Sequence, residues 1–229
     1  MTQVFAAAVL DSLPGSKYTA ALRYSELSLR SPLPRAPTLK RARYAFPEGF
    51  GVGLRFPSSA ITSKRGALRF DEAMEEALDW SITAADALAA RAAIVCTPVE
   101  VTPGGRDRDL LREFVRRLPI VDGRSYVWVP SGLWEQEDAA RLAADLGLVL
   151  GCDPLEMPIP EASVAYCRLL ALGGRTRFSE AMLARVVELI AESGAETAYV
   201  AIDSERSFEQ ACNLQRLSDE LGTAAATTE

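Results

Sequence analysis

Two rhythms alternate along this chain. "VFAAAVL" (Val4–Leu10) is continuously apolar and reads as a strand buried on both faces. "RYSELSL" (Arg23–Leu29) alternates with period two, and "GVGLRF" (Gly51–Phe56) is a third short strand. "FDEAMEEALDWSITAADALAARAA" then switches to the helical period, with Met74, Ala77, Leu78, Ile82 and Ala85 on one face and acidic residues in its first turn. "AIVCTP" (Ala93–Pro98), "YVWVP" (Tyr126–Pro130) and "LVLGCD" (Leu148–Asp153) are strands four to six. Between them lie two helices. "RDLLREFVRRL" turns Leu111, Phe114, Val115 and Leu118 inward, and "EQEDAARLAADLG" stops at Gly147, which supplies a left-handed residue.

After the sixth strand the pattern breaks. "PLEMPIPEAS" holds three prolines, which forbid a regular helix, so a loop replaces the expected sixth helix. "VAYCRLL" (Val164–Leu170) is strand seven, and "SEAMLARVVELIAESG" is a helix with Leu183, Val186, Val187 and Ile190 inward. "AYVAID" (Ala198–Asp203) is strand eight, and a last helix opens on a Ser207–Gln210 capping box and ends near Gly222. Eight short strands, mostly separated by helices, predict an α/β fold: a single-domain (β/α)8 TIM barrel over residues 1–222, with 223–229 a disordered tail. A doubly wound sheet is the rival, but "VLDSLPGS" after strand one is not a phosphate-binding glycine turn.

Barrel sites lie at the strand C-termini and in the loops that follow. Those ends carry Glu26, Arg55, Trp134, Asp153, Arg168 and Asp203. Arg168 sits inside an apolar run, where a charge is costly unless paired, and Asp153 or Asp203 on a neighbouring strand is its expected partner. The loop after strand seven adds Gly173, Gly174 and Arg175, which suit an anion: glycines allow close approach and the arginine brings charge. A solvated connector above a structural ion pair is the competing account. Glu26 and Asp153 form a candidate acid/base pair. Trp128 and Trp134 fit core packing better than ligand stacking, and Cys96 lacks a neighbour that would activate it.

Composition narrows the chemistry. The 229 residues are 48% hydrophobic and 24% charged, with net charge −6, which speaks against nucleic acid as a partner. No apolar run has the length of a membrane span, and the N-terminus reads as a strand rather than a signal peptide. Four scattered cysteines read as reduced core thiols of a cytoplasmic protein. There is no histidine, so the commonest metal ligand and general base are missing. The expectation is no metal and no cofactor. The expected partners are an anionic small molecule or another protein.

The order of these segments resembles the YecE-like family, barrel proteins catalogued as a domain of unknown function. The resemblance runs from about Tyr18 to Leu221. "FPEGFGVGLRFPSSAIT" is similar to the family's "tP-x-F-x-F-x-x-K-x-P-x-x-I-T", and "VAYCRLLALGGRTRFSEAML" to its "Y-x-R-x-H-G" strand and helix. "AYVAIDSERSFEQACNLQRL" is similar to its terminal "V-Y-x-F-N-N-D-x-x-G-x-A-x-x-N-A", and "YVWVPSGLWEQED" stands where the family has "E-x-R-H-x-S-W". The resemblance implies a TIM barrel and a pocket partly kept: Arg168, Asp153, Trp134 and Asn213 match, with substitutes at Arg55 and Asp203. The family's histidines, its "G-x-S-G-W-x-Y" start and its "N-S-T-F-Y" run are absent here. The expected protein is therefore a degenerate, non-catalytic binder of a ligand or partner. The alternative is a hydrolase or isomerase acting on a phosphorylated or sugar-like small molecule.

Overall fold

The computed structural model describes residues 2–171 and 176–226, with side chains to Thr223. Its strands are β1 (Gln3–Leu10), β2 (Tyr24–Leu27), β3 (Gly51–Arg55), β4 (Thr62–Ser63), β5 (Gly66–Ala67), β6 (Ala92–Cys96), β7 (Ser125–Val129), β8 (Val149–Cys152), β9 (Val164–Leu170) and β10 (Thr197–Asp203). Eight of them close a parallel barrel in the order β1-β10-β9-β8-β7-β6-β3-β2, and β4 and β5 form a separate antiparallel hairpin. The chain has the TIM-barrel fold that its alternating periods predict. All eight predicted strands are present, within a residue or two of their expected bounds.

The helices are α1 (Ser16–Ala21), α2 (Ala36–Ala45), α3 (Glu72–Ala87), α4 (Gly105–Arg116), α5 (Gln136–Asp145), α6 (Glu180–Glu192) and α7 (Ser207–Ala226). As the prolines require, no helix lies between β8 and β9. Asp153 opens that loop as a turn: its Oδ1 accepts the Leu155 N–H at 2.9 Å, and its carbonyl accepts from Glu156 and Met157. Two features depart from expectation at the last helix. It continues past Gly222 to Ala226, beyond its predicted end. Gln210 is used elsewhere than in a capping box with Ser207. Its Nε2 donates to the Phe178 carbonyl at 2.6 Å and its Oε1 accepts from Ser204 Oγ at 2.5 Å, tying the chain before α6 to the end of β10.

By its packing the chain divides into two compact units, Met1–Leu10 with Pro14–Glu26 and Gly151–Glu229, and Asp11–Leu13 with Leu27–Leu150. In the second unit the inward faces of α3, α4 and α5 (Met74, Leu78, Leu111, Phe114, Leu142) pack on Ala93, Val95 and Trp128 of the strands. Asp71 caps α3 by accepting the Met74 N–H at 3.0 Å, a bond of the kind worth about 1 kcal/mol. In the first unit, Leu183, Val186, Val187 and Ile190 of α6 are buried, as the helical period requires.

Candidate functional site

The period of two along a strand decides which residues of the first unit share a face. On β2 these are Tyr24 and Glu26, and on β9 Tyr166 and Arg168. Parallel pairing sets Tyr166 beside Tyr199 and Gly151, and Tyr199 beside Phe5. One layer higher, Arg168 stands beside Ala201, and Ala201 beside Ala7. The lower layer is aromatic: Tyr24 and Tyr166 flank Tyr199 at 4.5 and 6.2 Å, and Phe5 stacks on Tyr199 at 5.4 Å. In the upper layer Ala7 and Ala201 are fully buried, and these small residues leave room for a guanidinium.

Arg168 fills that room. Its Nε lies 3.1 Å from both carboxylate oxygens of Glu26, and its Nη2 lies 2.8 Å from Oε1. Tyr166 donates its hydroxyl to Glu26 Oε2 at 2.8 Å. Glu26 is 0% and Arg168 5% exposed, so both charges have left water, and only a fork of this kind offsets the loss of hydration. The Tyr24 hydroxyl lies beside that of Tyr166 without a bond of standard geometry. Burial pushes both phenols well above their ordinary value of 10.0, and the Glu26 charge pushes the same way. Tyr18 from α1 supports the layer: its hydroxyl accepts the Ala8 N–H and donates to the Tyr24 carbonyl, both at 2.9 Å. Burial raises its pKa too.

The sequence names Asp153 or Asp203 as the partner of Arg168; the carboxylate of the 2.8 Å ion pair is that of Glu26. The spacing of β2 and β9 in the chain gives no sign of this, because the two residues are 142 positions apart. Asp203 is exposed at the end of β10. Asn213 lies on α7 and accepts from Arg216 Nη2 at 3.3 Å. Gly173, Gly174 and Arg175 lie outside the described residues. Cys152 and Cys167, paired across β8 and β9, face away from the Arg168 layer. Mutual hydrogen bonding and burial hold the Cys167 thiol well above its ordinary value.

The remaining candidates belong to the second unit. Trp128 is fully buried and donates its Nε1–H to Thr97 Oγ1 at 3.0 Å. Trp134 stands edge-on to it at 4.9 Å, donates to the Val101 carbonyl at 2.8 Å and carries the Arg108 guanidinium 5.5 Å from its ring centre. Trp128 belongs to the core and Trp134 packs against it. Arg55 ends β3, the last and least buried residue of the strand. Among the described residues its guanidinium enters no ion pair and no hydrogen bond. Arg55 is also part of a charge pattern that the net charge hides. From Ser28 to Phe70 the chain has nine basic residues and one acidic one, Glu48, a net +8 that leaves −14 on the rest. Averaging over the whole chain conceals it.

No protein-family model and no curated protein matches the sequence. Solved structures do. A DUF72 family protein from Thermotoga maritima superposes with a TM-score of 0.72 at 16% identity, over 96% of this chain and 99% of the other. A second, from Enterococcus faecalis, gives 0.64 at 13% identity, over 96% and 98%. Endonuclease IV from Thermus thermophilus gives 0.54 at 14% identity, over 94% and 98%. At these identities the likeness is one of fold. The chain shares the barrel fold of the DUF72 proteins, the domain of unknown function also called YecE-like, along nearly their whole length.

Proposed function

We propose that this protein is a divergent DUF72-like barrel that binds a small anion at the C-terminal end of β3, through Arg55, without transforming it. The observation that carries the reading is the contrast between two arginines. Arg168, the anion site suggested by its place in an apolar strand, has Glu26 in its fork and is 5% exposed. Arg55 is partly buried, and among the described residues it enters no ion pair. A charge drawn partly out of water without a partner costs stability, and a bound anion removes that cost.

The absence of catalysis rests on protonation. General acid–base transfer needs a group that titrates near the working pH. The chain has no histidine. Among the described residues, every group whose ionisation the fold alters moves away from neutrality. Tyr18, Tyr24, Tyr126, Tyr166, Cys167 and Cys212 are raised, chiefly by burial or, for Cys167, by its bond with Cys152. Asp107 is lowered by the Thr102 backbone N–H.

A thermal shift with phosphate and sulfate tests the binding. Both should raise the melting temperature of the wild type, Arg55→Ala should abolish the rise, and Arg168→Met should retain it. Loss of the rise in Arg168→Met alone would return the site to strand β9. Turnover of a chromogenic phosphomonoester, abolished by Arg55→Ala, would overturn the non-catalytic reading in favour of a hydrolase.

A further inference from the structure

Two neighbouring helices of the second unit carry opposite charges that the fold leaves unpaired. Helix α2 has no acidic residue, and Leu39 marks its buried side. The helical period turns Lys40, Arg41 and Tyr44 the other way, with Tyr44 three and four residues from the two cations and so beside both. All three are exposed, Tyr44 by 78%. Helix α3 buries Met74, Leu78, Ser81 and Ala85, and the same period turns Glu72, Glu76 and Asp79 to its exposed side. Among the described residues these two cations and three carboxylates enter no ion pair. On α4, α6 and α7 charges are matched within the helix: Arg112 with Asp109, Arg185 with Glu188 and Arg216 with Glu220.

The two charged faces lie side by side. Trp80 of α3 donates its Nε1–H to the Pro34 carbonyl, just before α2, at 3.0 Å, so the indole fills the seam between the helices. Helix α2 leads into β3 and α3 into β6, which pair in parallel, so the helices run in the same direction. A surface with a basic helix beside an acidic one is self-complementary. A two-fold axis along the seam lays α2 of one copy on α3 of the other, and symmetry repeats the contact with the roles exchanged. Side chains lean toward the N-terminus of their helix, which carries the Lys40 and Arg41 heads toward the level of Asp79 and Glu76. A polyanion such as single-stranded nucleic acid fits less well. It would find the cations and Tyr44 of α2, but the acidic stripe of α3 beside them repels it.

We infer that the outward face of α2 and α3 is a docking surface for a second copy of this chain, with Lys40 and Arg41 of each copy pairing with Glu76 and Asp79 of the other beside Tyr44. The inference is independent of the anion site at Arg55. Helices of 10 and 16 residues give a face at the small end of specific interfaces, so the dimer is weak and reversible. Its ion pairs start from exposed side chains, so salt weakens it further.

Sedimentation equilibrium of the full chain at low and high salt tests it. The wild type should dimerise reversibly at low salt and dissociate as salt is added. Lys40→Glu/Arg41→Glu leaves both helices acidic, and Glu76→Lys/Asp79→Lys reverses the other face. Each variant alone should associate at least about tenfold more weakly than wild type, since symmetry removes every pair twice. Mixed in equal amounts, the two variants should re-form a heterodimer, seen by native mass spectrometry, and that recovery also shows that both are folded. A wild type that stays monomeric at low salt and its highest soluble concentration would overturn the inference. So would a dimer that either reversal leaves intact, or a mixture that stays monomeric. Binding of an oligothymidylate to a monomeric wild type, lost in Lys40→Glu/Arg41→Glu, would replace the second copy with nucleic acid.

Discussion

Glu26→Ala isolates the energetics of the barrel interior. The substitution removes both oxygens that contact Arg168 and the acceptor of the Tyr166 hydroxyl, and leaves a 5% exposed guanidinium beside apolar neighbours. Removing one partner of a buried pair costs about 3–5 kcal/mol, because the remaining charge stays out of water. For a chain of this size that corresponds to a fall of about 6–20 °C in melting temperature. Glu26→Leu/Arg168→Met should behave differently. Neither charge of the pair is left behind, and the residual loss includes the orphaned Tyr166 hydroxyl, about 1–3 kcal/mol. The double variant should therefore be more stable than either single one, with a coupling well beyond additivity. Urea denaturation followed by circular dichroism measures the wild type, Glu26→Leu, Arg168→Met and the double variant as one cycle, with Glu26→Ala alongside. Singles within about 1 kcal/mol of wild type, or strict additivity, would refute the view that Arg168 is neutralised from within.

Two further outcomes follow from buried protons. Tyr18, Tyr24 and Tyr166 titrate above their ordinary value of 10.0 in the folded protein, so the fold binds more protons than the unfolded chain once pH exceeds that value. Their contribution to stability is whole below it and is lost as pH rises toward the folded values. Absorbance near 295 nm should show part of the six tyrosines ionising only together with unfolding; a single reversible titration of all six would contradict this. Cys167 is fully buried and its thiol is pushed upward, so a thiol reagent at pH 8 should leave it unmodified in the native state and label it in urea. Rapid native labelling of Cys167, mapped by mass spectrometry, would count against the packing of β8 on β9.

Much of the barrel is legible in the sequence because its strands are short apolar runs and its main helices show an apolar face. The prolines after Asp153 predict the missing sixth helix for a sound steric reason. What escapes is local structure without a long period. Helix α1 has six residues, and α2 has Leu39 as its sole buried residue, so neither shows a stripe. The site is harder to read. Arg168 stands out as a charge in an apolar strand, yet its partner depends on how the barrel closes, and Glu26 looks like one polar position in an alternating strand. Arg55 is legible as the charged end of a strand, whereas the basic run around it is visible only when charge is read locally rather than as a sum.

The distinction between the two arginines is testable by direct observation of their side chains. Arginine Nε–Hε resonances, assigned by substitution and followed during phosphate titration, report each guanidinium separately. The account predicts that the Arg55 resonance moves in a saturable manner while that of Arg168 stays fixed. A saturable shift at Arg168 with Arg55 unmoved would contradict it.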